Sequence, residues 1–236
     1  MERPNSSAQT IPLTLKLIRE FHDSPIGGHA GFLRTYQRLL LQFFWPGMKQ
    51  QVHDYVRQCQ VCQQAKVSHS LPAGLLNPLP IPDKIWDDIV MDFITGLPLV
   101  NGYTIIMVVI DRLSKYTYLI PLKTHFTSST VAELFIQHVV KLHGVPRSIV
   151  FDRDKTFTSH FWQHLFKCQG TTVAMSRAYH PQTDGQSEAL NRCIEMYLRC
   201  FAFDRPRGWL QFLPWAEFWY NTAYQTSAGM TPFQII

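Results

Sequence analysis

Three acidic residues at the ends of apolar runs are the groups in this sequence best suited to metal chemistry. Asp92 closes Ile89-Val90-Met91, and Asp152 closes Ile149-Val150-Phe151. Glu188 follows the polar loop Tyr179-His180-Pro181-Gln182-Thr183-Asp184-Gly185-Gln186-Ser187, with 35 residues between it and Asp152. Carboxylates are hard oxygen ligands. Three of them brought together by two strands and a helix can hold two divalent cations, the apparatus of phosphoryl transfer on nucleic acid. With 17 acids among 236 residues, spacing alone is a weak signal, and the residues around the acids carry the weight.

A second constellation is nitrogen and sulfur rather than oxygen. His22-x6-His29-x29-Cys59-x2-Cys62 has the form of a tetrahedral zinc site, and two imidazoles with two thiolates close the coordination sphere, which makes the site structural. The plainer account is an incidental CxxC with surface histidines. Both pairs in order, with aromatic helices between them, speak against it. His53 and His69 remain spare. Cys168, Cys193 and Cys200 sit in apolar surroundings and are expected to be small buried hydrophobes.

The elements that must position these groups fall into two sets. Apolar spacing predicts helices over 11–22, 31–43 and 48–59, broken by Asp23-Ser24-Pro25-Ile26-Gly27-Gly28 and by Trp45-Pro46-Gly47. Three short helices make a marginal core, and zinc binding contributes roughly 10–16 kcal/mol to such folds. From Val67 to Asp83 the chain carries five prolines or glycines that no helix or central strand tolerates, which predicts a partly extended linker. Beyond it, β-branched runs at 89–94, 103–110 and 116–120 predict three strands in succession. A helix over 129–143 stops at Gly144-Val145-Pro146. A strand ending at Asp152, a helix over 159–168, a short strand over 172–175 and helices over 183–203 and 209–224 follow. Strands followed by alternating helices and strands predict an α/β domain, a mixed sheet with helices on both faces. The helix carrying Glu188 shows a core stripe at Leu190, Ile194, Tyr197, Leu198 and Phe201. Its polar stripe runs through Glu188, Arg192, Glu195 and Arg199, with Asn191 at the edge. A polar loop, a glycine and a helix N-terminus make a rim suited to phosphate.

Composition bounds the function classes. Apolar residues at 46% and aromatics at 13% build a core and argue against wholesale disorder. A net charge of +5 and a pI near 9.0 suit a partner with a phosphate backbone. No stretch of 18 uncharged apolar residues and no secretory signal are present, so a soluble intracellular protein without a membrane partner is expected. The odd cysteine total argues against a disulfide framework.

At this point the residues resemble a known family. His22…His29…Cys59-x2-Cys62, Trp86-x5-Asp92-Phe93-Ile94-x2-Leu97-Pro98 and Val109-Ile110-Asp111-Arg112-Leu113-Ser114-Lys115 are similar to the integrase of gypsy-type LTR retrotransposons. So are His143-Gly144-Val145-Pro146, Asp152-Arg153-Asp154-x2-Phe157, the loop from Tyr179 to Glu188, Tyr220-Asn221-Thr222 and Thr231-Pro232-Phe233. The resemblance covers about residues 13–236. It implies a small all-α zinc-binding domain (1–70), the linker (71–83) and an RNase H-like catalytic core of the D,D-35-E class (84–236). The basic C-terminal domain that the family places next is expected to lie outside this chain.

The resemblance assigns the catalytic, magnesium-binding carboxylates to Asp92, Asp152 and Glu188, and the zinc ligands to His22, His29, Cys59 and Cys62. Asp111 is expected to be structural and Asp154 a turn residue. The implied enzyme is an integrase, a polynucleotidyl transferase with endonuclease activity. It uses Mg²⁺ or Mn²⁺, as a pair, beside structural Zn²⁺, to trim a 3′ end and join it to target DNA. Lys155, Arg177, Tyr179, His180, Gln182, Gln186, Asn191 and Arg192 are the expected DNA contacts. Double-stranded DNA (element ends and target) and further copies of the chain, as a homodimer or homotetramer, are the expected partners, with no small-molecule substrate. The location is nuclear by inference from the substrate, otherwise cytoplasmic. Phe151 departs from the family, which usually has a small polar residue there. The alternative function is an idle or co-opted integrase fragment that binds DNA or multimerises without catalysis.

Overall fold

The computed structural model describes residues 12–65, 82–151, 155–168, 185–225 and 228–236. The linker core, the strand expected over 172–175, Asp152, Asp154, His69 and the loop from Tyr179 to Asp184 lie outside the described residues. The chain divides into two compact units, with the division between Lys66 and Val67.

The first unit is helical: α1 (Leu13–His22), α2 (Phe32–Leu40), α3 (Met48–Gln58) and α4 (Gln60–Ala65). Its centre is small. Ile18, Leu39, Met48 and Val52 are buried, wrapped by Phe21, Phe32, Tyr36, Phe43, Trp45 and Tyr55. The sequence pattern predicts the first three helices but not α4, whose six residues are too short for a hydrophobic period to register. A closed metal site is therefore the natural complement to four buried aliphatic side chains.

In the second unit, β1 (Asp88–Ile94), β2 (Tyr103–Asp111) and β3 (Thr117–Lys123) form an antiparallel meander. Asn101 and Gly102, both at positive φ (50° and 87°), make the tight turn into β2. β4 (Ser148–Phe151) returns parallel to β1, so the sheet order is β3-β2-β1-β4. Between β3 and β4, α5 (Ser128–Phe135) runs through a π-helical stretch (Ile136–Val140) into α6 (Lys141–His143), a widening that no periodicity announces. α7 (Lys155–Cys168), α8 (Gly185–Ala202), α9 (Trp209–Asn221) and α10 (Pro232–Ile235) follow. α7 begins four residues before its sequence-predicted start, and β3 continues three residues past its predicted end, through Pro121.

The sheet is covered on both faces. Ile89, Met91, Met107, Val109, Ile120, Leu122 and Ile149 pack against Val131, Phe135 and Val139 on one side, together with Phe161 and Leu165 of α7. Phe135 and Phe161, both fully buried, meet edge to face at 5.7 Å, a geometry worth about 0.5–1.5 kcal/mol beyond area burial. The pleat turns Val90, Ile94, Ile106, Val108 and Ile110 to the opposite face, where α8 meets β1. There Leu190, Ile194, Tyr197 and Leu198 of α8 are buried, and Tyr197 lies 5.1 Å from Trp219 of α9. Of the three cysteines expected to be buried, Cys200 is buried and Cys193 half-buried. Cys168 is exposed, because it closes the last turn of α7 beyond the helix's contact with the core.

Candidate metal centres

The zinc tetrad assembles from three helix ends and a turn. His22 is the last residue of α1, Cys59 caps α3 and Cys62 lies in α4. His29 is delivered by a turn that folds back on α1: its N–H donates to His22 O at 2.8 Å, and Gly28 N–H donates to Ser24 O at 2.8 Å. Gly27 permits the fold-back, because a Cβ there would stand 2.6 Å from the Phe21 carbonyl carbon and 2.7 Å from the His22 nitrogen. The four ligand atoms all lie within 4.8 Å of one another. Cys62 Sγ is 3.4 Å from His22 Nε2 and 3.8 Å from His29 Nδ1, and Cys59 Sγ is 3.5 Å from His29 Nδ1. Zinc–sulfur and zinc–nitrogen bonds of ordinary length in a tetrahedron put S and N about 3.6 Å apart, so the donor set fits zinc.

Thr35 completes this centre and no sequence signal identified it. Its fully buried hydroxyl donates to Ala30 O at 3.3 Å and lies 3.4 Å from His22 Nδ1. With its proton directed at Ala30, the hydroxyl oxygen accepts from Nδ1–H, which leaves the Nε2 lone pair for the metal. His53 stands apart from the tetrad, edge-on to Phe32 and 3.3 Å from Asp54.

The acidic site is described in part. Asp92, in β1, is half-buried on the sheet face that meets α8. Its Oδ1 accepts from Phe93 N at 2.7 Å, and its Oδ2 accepts from Asn191 Nδ2 at 2.7 Å. Asn191 lies three residues after Glu188 on α8, hence on the same helix face, so this bond turns the Glu188 face toward the strand of Asp92. Glu188 is exposed in the first turn of α8, where the helix dipole favours negative charge, and it pairs with Arg192. Asp152 lies outside the described residues. The residue before it, Phe151, is paired in parallel register with Met91, the residue before Asp92.

These residues fit a hard divalent cation. Asp92 and Glu188 offer only oxygen, and the buried Oδ1 of Asn191 has no hydrogen-bond partner among the described residues, an acceptor left beside a carboxylate. Of the expected DNA contacts, Arg177, Tyr179, His180 and Gln182 lie outside the described residues, and Lys155 and Gln186 are placed only by their helical backbone. Asn191 and Arg192 are engaged with Asp92 and Glu188.

Two acidic residues that fasten strands of the sheet were not singled out by sequence. Asp88 opens β1 and binds Ser148 Oγ and Arg147, the latter at 2.6 Å, fastening β1 to β4. Burial alone would raise its carboxyl, but the hydrogen bonds from Ser148 and Arg147 outweigh it and hold the group below the ordinary carboxylate range. Glu217, on α9, accepts from Leu119 N at 2.7 Å, and burial pushes its carboxyl up to about 7. Asp111 is structural, as expected. Fully buried, it accepts from Trp86 N at 2.8 Å and from the Ser114 N–H and hydroxyl at 2.7 and 2.5 Å, holding a turn and the entry to β1.

Comparison with known proteins fits this arrangement. The integrase zinc binding domain family matches residues 11–68, and the integrase core domain family matches residues 82–181. Glu188 lies beyond the second match. The Tf2-3 and Tf2-4 transposon polyproteins of Schizosaccharomyces pombe are each 35% identical over 224 residues, 95% of this chain. The chain spans 17% of the length of each. Among solved structures, a chain of the simian T-cell lymphotropic virus intasome in complex with PP2A regulatory subunit B56 gamma is similar in fold. Its TM-score is 0.55 and its identity 19%, over 89% of this chain and 71% of that one.

Proposed function

The chain carries an integrase zinc-binding domain followed by an integrase core domain and is homologous to the Tf2 retrotransposon polyproteins, and from this premise we propose that it integrates retrotransposon DNA by divalent-metal-dependent polynucleotidyl transfer. The observation that supports this most is the Asn191–Asp92 hydrogen bond, which ties the helix of Glu188 to the strand of Asp92. Next to it, the β1–β4 register brings the residues preceding Asp92 and Asp152 level.

In this reading Asp92, Asp152 and Glu188 hold the catalytic ions. Held by these carboxylates, Mg²⁺ or Mn²⁺ would supply Lewis acidity to an attacking water or 3′-hydroxyl and charge neutralisation for the leaving oxygen. The chain's own residues supply position. Asn191 fixes the Asp92 carboxylate, and Arg192 pairs with Glu188 along α8. The attacking group determines the product: water trims a 3′ end, and the resulting 3′-hydroxyl attacks target DNA. Lys155, Arg177, Tyr179, His180, Gln182, Gln186, Asn191 and Arg192 form the surface toward DNA phosphate and bases. His22, His29, Cys59 and Cys62 hold structural zinc. Concerted joining of two DNA ends requires two active sites, hence more than one copy, and a DNA substrate implies a nuclear location. The gypsy type follows from the sequence motifs. An idle, DNA-binding fragment is the second reading, and no observation favours it.

The test is a strand-joining and disintegration assay on a branched oligonucleotide in Mg²⁺ or Mn²⁺. Products that vanish with Glu188→Gln are expected. Zinc-loaded, folded protein that makes none would overturn the enzymatic reading in favour of the binding fragment.

A further inference from the structure

β3 is the outer strand of the described sheet, and among the described residues no strand pairs with its free edge. Such an edge offers a row of backbone donors and acceptors to any extended segment, a second copy of the same strand included. In an antiparallel ladder alternate residues direct their N–H and C=O groups toward the neighbour. Thr117 and Leu119 bond to side chains of α9, so Thr117, Leu119 and Pro121 are the positions of β3 that face away from β2.

Each of the three is closed differently. Asn221 Oδ1 accepts from Thr117 N at 2.9 Å while its Nδ2 donates to Thr117 O at 2.8 Å, reproducing with one amide the paired bonds of a strand residue. One helical turn earlier, Glu217 Oε2 accepts from Leu119 N at 2.7 Å. Pro121 has no N–H to offer. Thr117 and Asn221 are both essentially inaccessible, at 0% and 1% exposure. The carboxylate also stands where an incoming strand would bring its own carbonyl oxygens. The titratable groups that face it are Tyr116, just before β3, Tyr118 of β3 and His138 of the π-helical stretch, which shares a cavity of about 300 Å³ with Glu217.

We propose that Glu217 and Asn221 act as a surrogate strand that closes the β3 edge against addition of an extended segment, above all β3 of a second copy. The proposal holds whether or not the chain joins DNA, and no catalytic assay enters its test. Amide hydrogen exchange and sedimentation are measured on the zinc-loaded 236-residue chain and on a Glu217→Ala/Asn221→Ala variant. Thr117 and Leu119 amides are expected to exchange at least ~10-fold faster in the variant, the effect of losing a hydrogen bond to a charged or buried partner. Met107 and Val108 amides keep their protection, and the variant gains concentration-dependent association that an added Leu119→Pro removes.

Amides of Thr117 and Leu119 as slow as in the parent would overturn the proposal. So would open amides without new association, or association that survives Leu119→Pro. Should the double variant lose protection at Met107 and Val108 as well, Glu217→Ala alone decides: a Leu119 amide no faster than in the parent overturns the proposal.

Discussion

Asn191 does for Asp92 what Thr35 does for His22: each fixes a candidate metal ligand through a hydrogen bond. Supporting contacts of this kind typically carry 10–100-fold in metal affinity or activity. Asn191→Ala is therefore expected to lower the disintegration rate about 10–100-fold and to move the Mg²⁺ dependence to higher concentration, with the circular dichroism unchanged. A rate that falls with no change in Mg²⁺ dependence would assign Asn191 to DNA instead. Glu217 gives a pH prediction. Its folded-state carboxyl is raised from 4.5 to about 7, so its contribution to stability is complete below about 4.5 and is lost as pH rises through about 7. Glu217→Gln stays neutral and still accepts from Leu119 N. Urea unfolding should find it equal to the parent near pH 4.5 and more stable by about 1–2 kcal/mol above pH 7, after allowance for solvent screening. Equal stability across that range would remove the desolvated carboxylate.

At the scale of elements, the turn between α1 and α2 decides the zinc centre. Gly27 sits against the backbone of Phe21 and His22, so Gly27→Ala must push the turn away from α1 and carry His29 with it. Zinc stoichiometry by metal analysis is expected to fall well below one per chain, with loss of helical signal from the first unit. Full zinc occupancy in the variant would show that the turn can yield. β3 shows how element boundaries depend on neighbours. The apolar run predicts a strand end at residue 120, yet Pro121, at an edge position facing away from β2, removes no ladder bond, and the strand runs on to Lys123. α9 ends at Asn221, three residues before the predicted end, where that side chain turns to Thr117.

For the whole molecule, the two compact units divide stability as well as chemistry. The first has four buried aliphatic residues at its centre and a closed metal tetrad, while the second buries aromatic and aliphatic side chains on both faces of a sheet. Zinc removal by a chelator is expected to unfold the first unit and leave the strand signal and thermal transition of the second intact. Differential scanning calorimetry with and without chelator checks this, and a single cooperative loss of both units would sink it.

The sequence by itself named the His/Cys tetrad, because two His and two Cys recur there at coordinating spacing, and the fold brings the ligand atoms of those four residues within 4.8 Å of one another. It also determined the class of the core, because β-branched runs and helical periods are local properties of the chain that packing only reinforces. What the tertiary structure decided is which partners meet across long separations. Thr35 with His22, Asn191 with Asp92, Asp88 with Ser148 and Arg147, and Glu217 and Asn221 with β3 join residues 13 to 104 positions apart. No periodicity records such pairs. A buried polar group must find a partner, but which one it finds depends on the register of strands and the rotation of helices, and those exist only once the core has closed.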